Sequence, residues 1–182
     1  MYMEHEDYSE MNAGVMEVPA EERAKALLER LRAQCARREY CESDIWKKVS
    51  REQLPPDIAS GIVDSLRQDR YIDDLRYASA FARDKSSISG WGKLKIRHSL
   101  AAKGIDRGII ASALDGIEGN PGLEKLEKAL ETRAASLKDD PYRKFKLLRF
   151  ALGRGYEYDE IKDLVDNILQ YGKLQETNGK GD

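Results

Sequence analysis

Two histidines, two cysteines and three phenylalanines in 182 residues leave little from which to build several classes of protein. His5 and His98 cannot cluster round a metal, and Cys35 with Cys41 supplies too few ligands for a structural zinc site. No metal and no other cofactor is expected. The same two cysteines form no disulfide framework, and no early apolar run resembles a signal peptide, so the expectation is a reduced, cytoplasmic protein. No apolar run approaches the roughly 20 residues that span a bilayer, which disfavours a membrane role. Also missing are a GxGxxG turn after a strand, a GxxxxGK[ST] phosphate loop and a GxSxG nucleophile turn. Without these or any visible base and nucleophile, the chain is not expected to be an enzyme.

Charge is abundant instead. Charged residues make up 35% of the chain and hydrophobic residues 41%, against roughly 25% charged in an average globular protein. That excess suits thin helical layers with much solvent-facing surface. A single compact body of this length buries about 68 to 70% of its unfolded surface, enough for a core. The net charge of −2 is unevenly spread. Residues 1–19 hold five carboxylates (Glu4, Glu6, Asp7, Glu10, Glu17) and no lysine or arginine, the composition of a disordered acidic tail. The body that follows is mildly basic.

Its apolar residues repeat. At intervals of 51 residues Ile45, Ile96 and Leu147 coincide, as do Val49, Leu100 and Ala151, then Val63, Leu114 and Val165, then Leu66, Ile117 and Ile168. Gly104 and Gly155 share the register, with Gln53 in the first copy. Ala24, Leu75 and Leu126, and likewise Leu28, Ser79 and Leu130, extend it into the preceding helix. Chance produces some matches in any helical chain, but four gapless triplets and a shared glycine favour three copies of one supersecondary unit.

Each copy divides into three helical segments. In the first, Leu27, Leu28, Leu31 and Cys35 form one stripe over 20–38, with Cys35 a small core residue. Ser43 is a suitable cap for a second helix carrying Ile45, Trp46 and Val49, and Pro55 with Pro56 breaks it and opens a third. In the second copy the helices fall near 73–86, 92–103 and 106–117. Leu75, Ala78, Phe81 and Ala82 supply the buried face of the first, and Gly104 ends the second in the left-handed conformation. In the third, Asn120 with Pro121, and Asp140 with Pro141, open successive helices, and the last helix runs from Tyr158 to about Gln170. Strand signals are nearly absent. The expected fold is all-α: three tandem three-helix repeats at 20–69, 70–118 and 119–172, between the tail at 1–19 and a flexible stretch at 173–182.

Basic residues recur with the helices. Residues 83–107 and 133–154 each carry seven lysines or arginines against two aspartates, a net +5 apiece, whereas 157–168 carries −4. Solvated faces and intramolecular ion pairs account for many such runs. Two equal runs in one register favour a shared basic side, suited to acidic protein surface or phosphate. Its candidate binding residues are Lys93, Lys95, Arg97, His98 and Lys103 in the second unit, with Arg143, Lys144, Lys146 and Arg149 in the third. Asp73 and Asp74, just before a helix, are a cap rather than an acid–base pair. Trp91, between Gly90 and Gly92, is either a plug fixing its loop or an exposed anchor for a partner.

The central stretch resembles the RecX family of bacterial regulatory proteins. The resemblance rests on Asp73, Asp74, Arg76, Tyr77, Ala78 and Phe81, followed by Gly92, Lys93, Ile96, Arg97, Leu100, Lys103, Gly104 and Ile105. Ser99 stands where members often carry an acidic residue, and Arg70 where they usually carry glycine. Weaker similarity covers about 20–170. The resemblance implies an elongated, curved array of three-helix units. It further implies a partner, the RecA filament on single-stranded DNA, whose ATPase, strand-exchange and coprotease activities in recombination, repair and the SOS response are modulated, with inhibition the expected direction. A monomer is expected, with weak direct contact to DNA possible in addition. The competing class is a tri-helical protein acting on DNA without RecA, although an acidic third helix argues against major-groove reading.

Overall fold

The computed structural model describes the backbone of residues 18–178 and the side chains of 18–170. The acidic tail lies almost wholly outside the described residues. Among those residues all regular structure is helical: α1 (Ala20–Cys35), α2 (Glu42–Val49), α3 (Pro56–Gln68), α4 (Asp74–Ser87), α5 (Lys93–Ala101), α6 (Arg107–Asp115), α7 (Pro121–Ser136), α8 (Arg143–Leu152) and α9 (Tyr158–Asn178), with a 3-10 turn at Ser50–Glu52 after α2. The fold is an all-α succession of helical repeats. The last helix continues past the expected stop near Gln170.

Three apolar clusters carry the three repeats. Ile45, Ile96 and Leu147 are each fully buried, as are Val49, Leu100 and Ala151. Val63, Leu114 and Val165 occupy matching places on the third helices. Cys35 and Trp46 pack against the first cluster, and Tyr71 and Ile72 extend it. Periodicity over the second and third helices thus identifies their buried faces, because a face that turns inward must recur at helical spacing.

The first helices depart from that register. Leu75 is 47% exposed, and the inward positions of α4 are Ala78, Ala82 and Ser86. Their counterparts are Leu27, Leu31 and Cys35 in α1, and Leu126, Leu130 and Ala134 in α7. The interval is 51 residues from the first to the second set but 48 to the third. The segment from Ala134 to Leu147 is correspondingly three residues longer than that from Ser86 to Ile96. A longer connection absorbs the shift, so matching Leu75 with Leu126 compared different faces of two helices.

Caps divide in the same way. The Asp73 carboxylate accepts from Arg76 N at 2.9 Å, and Asn120 Oδ1 accepts from Leu123 N at 3.2 Å, both satisfying an orphan first-turn amide. Asp74 reaches back to the first unit and accepts from Glu42 N at 2.9 Å, capping α2 from another repeat. Ser43 is not the cap of α2: its hydroxyl donates to the Lys103 carbonyl at 2.5 Å. Asp140 and Pro141 form a turn ahead of α8, in which Asp140 accepts from Tyr142 N at 2.8 Å, and the helix begins at Arg143.

Successive repeats meet through one recurring junction, in which the start of one second helix touches the end of the next. Ser43 meets Lys103, and 51 residues on Gly92 N donates to Arg154 O at 2.8 Å while Leu94 N donates to Gly155 O at 3.2 Å. The later junction is backbone against backbone. A methyl group on Gly92 would lie 2.2 Å from the Gly155 carbonyl oxygen, and one on Gly155 would lie 2.4 Å from Lys95 Cβ. Gly122, at the start of α7, is seated less closely, where a methyl group would lie 2.7 Å from Tyr156 Oη and 2.8 Å from Ser86 Oγ. Burial holds the Tyr156 phenol up at about 12. α4 also packs along α7, whereas among the described residues no helix of the first unit packs extensively on one of the second.

Candidate functional site

The tight junction between the second and third repeats creates an open groove of about 780 Å³. α5 contributes Lys95, α7 contributes Arg133, and α8 with the turn after it contributes Lys146, Arg149, Phe150 and Arg154. Trp91 closes one side. The cations are held by aromatic faces. Lys95 Nζ lies 4.5 Å and Lys85 Nζ 5.0 Å from the Trp91 ring centroid. The guanidinium carbons of Arg133 and Arg154 lie 4.9 and 4.6 Å from the Phe150 centroid. Cation–π contact holds these groups in place while leaving their polar edges available.

Further bonds fix the same groups. Arg154 donates to the Ser89 carbonyl at 2.5 Å, and Lys95 to the Gly153 carbonyl at 3.2 Å. Lys146 pairs with Asp140, the one carboxylate bonded to a groove cation among the described residues, and this pairing holds Asp140 below the ordinary carboxyl range. The groove therefore offers a preformed positive field without needing to gather flexible side chains. Trp91 is half-buried, edge-on to Phe81 with 6.3 Å between centroids, so it both fixes its loop and forms the groove wall.

The eight candidate cations and the histidine do not share one face. Lys95, Lys146 and Arg149 line the groove. Lys93 and Arg97, one turn apart, and His98 are exposed on α5 away from the groove lining. Lys144 pairs with Asp166 of α9 at 2.5 Å, so part of the acidic third helix neutralises the basic second helix of its own unit. Arg143 is half-buried and does not line the groove. Lys103 serves the first junction: it pairs with Asp44 at 2.6 Å and lies 5.4 Å from the Tyr77 ring centroid. Burial, the largest influence on Lys103, pulls its pKa down, but hydrogen bonds to Asp44 and Tyr77 with nearby negative charge hold it above the ordinary lysine value. Helical rotation of about 100° per residue is what scatters a basic run in this way.

Arg133, Arg154 and Phe150 were not among the expected site residues. Charge counting includes both arginines, but only the glycine contact between repeats brings them to Lys95. The mutual spacing of Gly92 and Gly155 is the sequence signal nearest to that contact.

Comparison with known proteins gives the same family at three levels. A model of the second three-helix domain of RecX matches residues 73–114. The regulatory protein RecX of Clostridium botulinum strain Eklund 17B is 31% identical over 134 residues, covering 71% of this chain and 62% of that protein. The regulatory protein RecX of Chromohalobacter salexigens is 30% identical over 128 residues, covering 70% of this chain and 82% of that one. The chain thus spans less than two thirds of the Clostridium relative's length and most of the Chromohalobacter relative's. A crystal structure of regulatory protein RecX superposes with a TM-score of 0.71 over 81% of this chain and 73% of its own. RecX from Lactobacillus salivarius does so with a TM-score of 0.68 over 85% and 99%. Both structures are 23% identical to this chain and bear on the fold alone. No helix among the described residues is long and apolar enough to cross a membrane. With the fold, the central motif and relatives at 30% identity or above in agreement, the chain belongs to the RecX family.

Proposed function

We propose that this protein binds the RecA filament assembled on single-stranded DNA and restrains its ATPase, strand-exchange and coprotease activities by occupying it, with no covalent step. The observation that carries the reading is the rigid, cation-lined groove at the junction of the second and third repeats, in a chain of the RecX family. A groove held by backbone hydrogen bonds between repeats meets a regular assembly with its charges already placed. Lys93 and Arg97 add a second basic surface on α5. The same charges would serve a protein acting on DNA alone, and one titration separates the two readings.

In that titration the DNA-stimulated ATPase of RecA is followed as this protein is added at fixed salt, with bare DNA as competitor. Inhibition at substoichiometric amounts is expected. No effect on the ATPase, together with tight and steeply salt-dependent binding to bare DNA, would overturn the filament reading in favour of the DNA-only one. The Lys93→Glu/Arg97→Glu variant is expected to keep its helical content and melting transition, since both side chains are exposed, while losing about tenfold in filament affinity.

A further inference from the structure

The groove has a neighbour that phosphate binding does not explain. Along α8 and the turn before it, Tyr142, Phe145 and Leu152 are 68%, 62% and 46% exposed. At about 100° per residue they fall with Arg149 within roughly 80° of arc, one continuous face whose edge is the groove wall. Large exposed apolar groups gathered on one face mark a partner site more often than scattered ones do.

The recurring junction explains why this face is open. Tyr40 and Trp91 stand 102 and 51 residues before Tyr142, and Ser43 and Leu94 hold the same relation to Phe145. In the first two repeats this edge meets the next second helix through Ser43 or through Gly92 and Leu94. In the third no further repeat among the described residues covers it.

We infer that the exposed face of α8, with the adjoining groove, is a docking surface for an acidic protein segment that carries apolar side chains. Charge complementarity selects that occupant. Arg149 lies on the apolar face, Arg133 and Arg154 line the groove that adjoins it, and Asp140 is already taken by Lys146. A second copy of this chain fits less well. The edge it would offer in register is the turn at Glu52 and Gln53, where Arg23 donates to the Glu52 carbonyl and Arg30 pairs with its carboxylate, so cations would meet cations. Single-stranded nucleic acid fits less well too, because cations already lie against Trp91 and Phe150 and so limit base stacking there. The inference rests on the preceding reading only in assigning this face to the protein component of the filament rather than to its DNA.

The test needs no filament, so its failure is separate from failure of the ATPase titration. The full chain is titrated with a fluorescein-labelled peptide of leucines at helical spacing among glutamates, and in parallel with labelled oligothymidylate. Phe145→Ser/Leu152→Ser alters only exposed side chains, and circular dichroism melting verifies that it folds. It is expected to weaken peptide binding by about tenfold or more, as loss of interface anchors does, and to change oligothymidylate binding less than about twofold. Arg149→Glu is expected to weaken peptide binding as well. Absence of peptide binding by the wild type, or unchanged binding by the double variant, would overturn the inference. Parallel loss of both ligands in the double variant would assign the face to nucleic acid instead. Concentration-dependent self-association in sedimentation, abolished by the double variant, would assign it to a second copy.

Discussion

Gln53 and Arg70 hold the backbone at φ +50° and +57°, where a side chain crowds the carbonyl. Gln53 occupies the repeat position of Gly104 and Gly155, whose φ values are +78° and +88°. Gln53→Gly is therefore expected to stabilise the protein by up to about 1 kcal/mol, the strain relieved exceeding the added freedom of the unfolded chain, as urea unfolding would show. The left-handed turn was legible in the register although the residue type spoke against it. The use of Ser43 was not: its hydroxyl is claimed by a carbonyl 60 positions away, and local capping preference carries no record of that. Next to it, burial of Asp44 favours its neutral form, but hydrogen bonds from Lys103 and Cys41 outweigh this and hold its pKa below 3.8. A lowered carboxyl pKa contributes stability that is full above the unfolded value of 3.8 and is lost as pH falls through the folded one. Asp44→Asn is expected to destabilise the protein by about 1–2 kcal/mol at pH 7 and by less once the pH falls below both values, measured as urea midpoints across that range.

Among the elements, α5 bears the most, because its start is bonded to the third repeat and its end to the first. Gly92→Ala would set a methyl group 2.2 Å from a carbonyl oxygen that belongs to backbone and cannot rotate aside. It is expected to cost about 2–3 kcal/mol in urea unfolding. Gly104→Ala, with open space around it, is expected to cost only the conformational strain, about 1 kcal/mol. Two glycines at opposite ends of one helix thus differ in what they hold apart. The inward faces of the second and third helices were readable from spacing because burial there follows one uninterrupted register. The first helices were read one face off at Leu75, since a three-residue change in a loop leaves no mark on the periodicity of the helix before it.

Taken as a whole, the molecule has three cores joined by two unlike seams. The seam between the second and third repeats is backbone hydrogen bonding with α4 along α7, and the seam between the first and second is a few side-chain bonds with Cys41 buried in the second core and Ile72 in the first. In a chain whose stability is a sum of units and their neighbour contacts, the first repeat should open separately. Native-state hydrogen exchange in dilute urea is expected to show buried amides of α2 and α3 exchanging through a lower-energy opening than those of α5 and α8. Exchange of all four helices through one global opening would count against the unlike seams. At this scale the sequence disclosed the basic character of the site but not its membership: Lys95 and Arg149 were nameable from charge, while Arg133, Arg154 and Phe150 join them only through the glycine contact. That contact also has a sense. Each seam runs from the front of one second helix to the back of the next, so the row has a head that differs chemically from its tail. Set against a track that itself has polarity, such a body has a forward and a reverse placement of unequal energy, and it acts as an arrow rather than a bar.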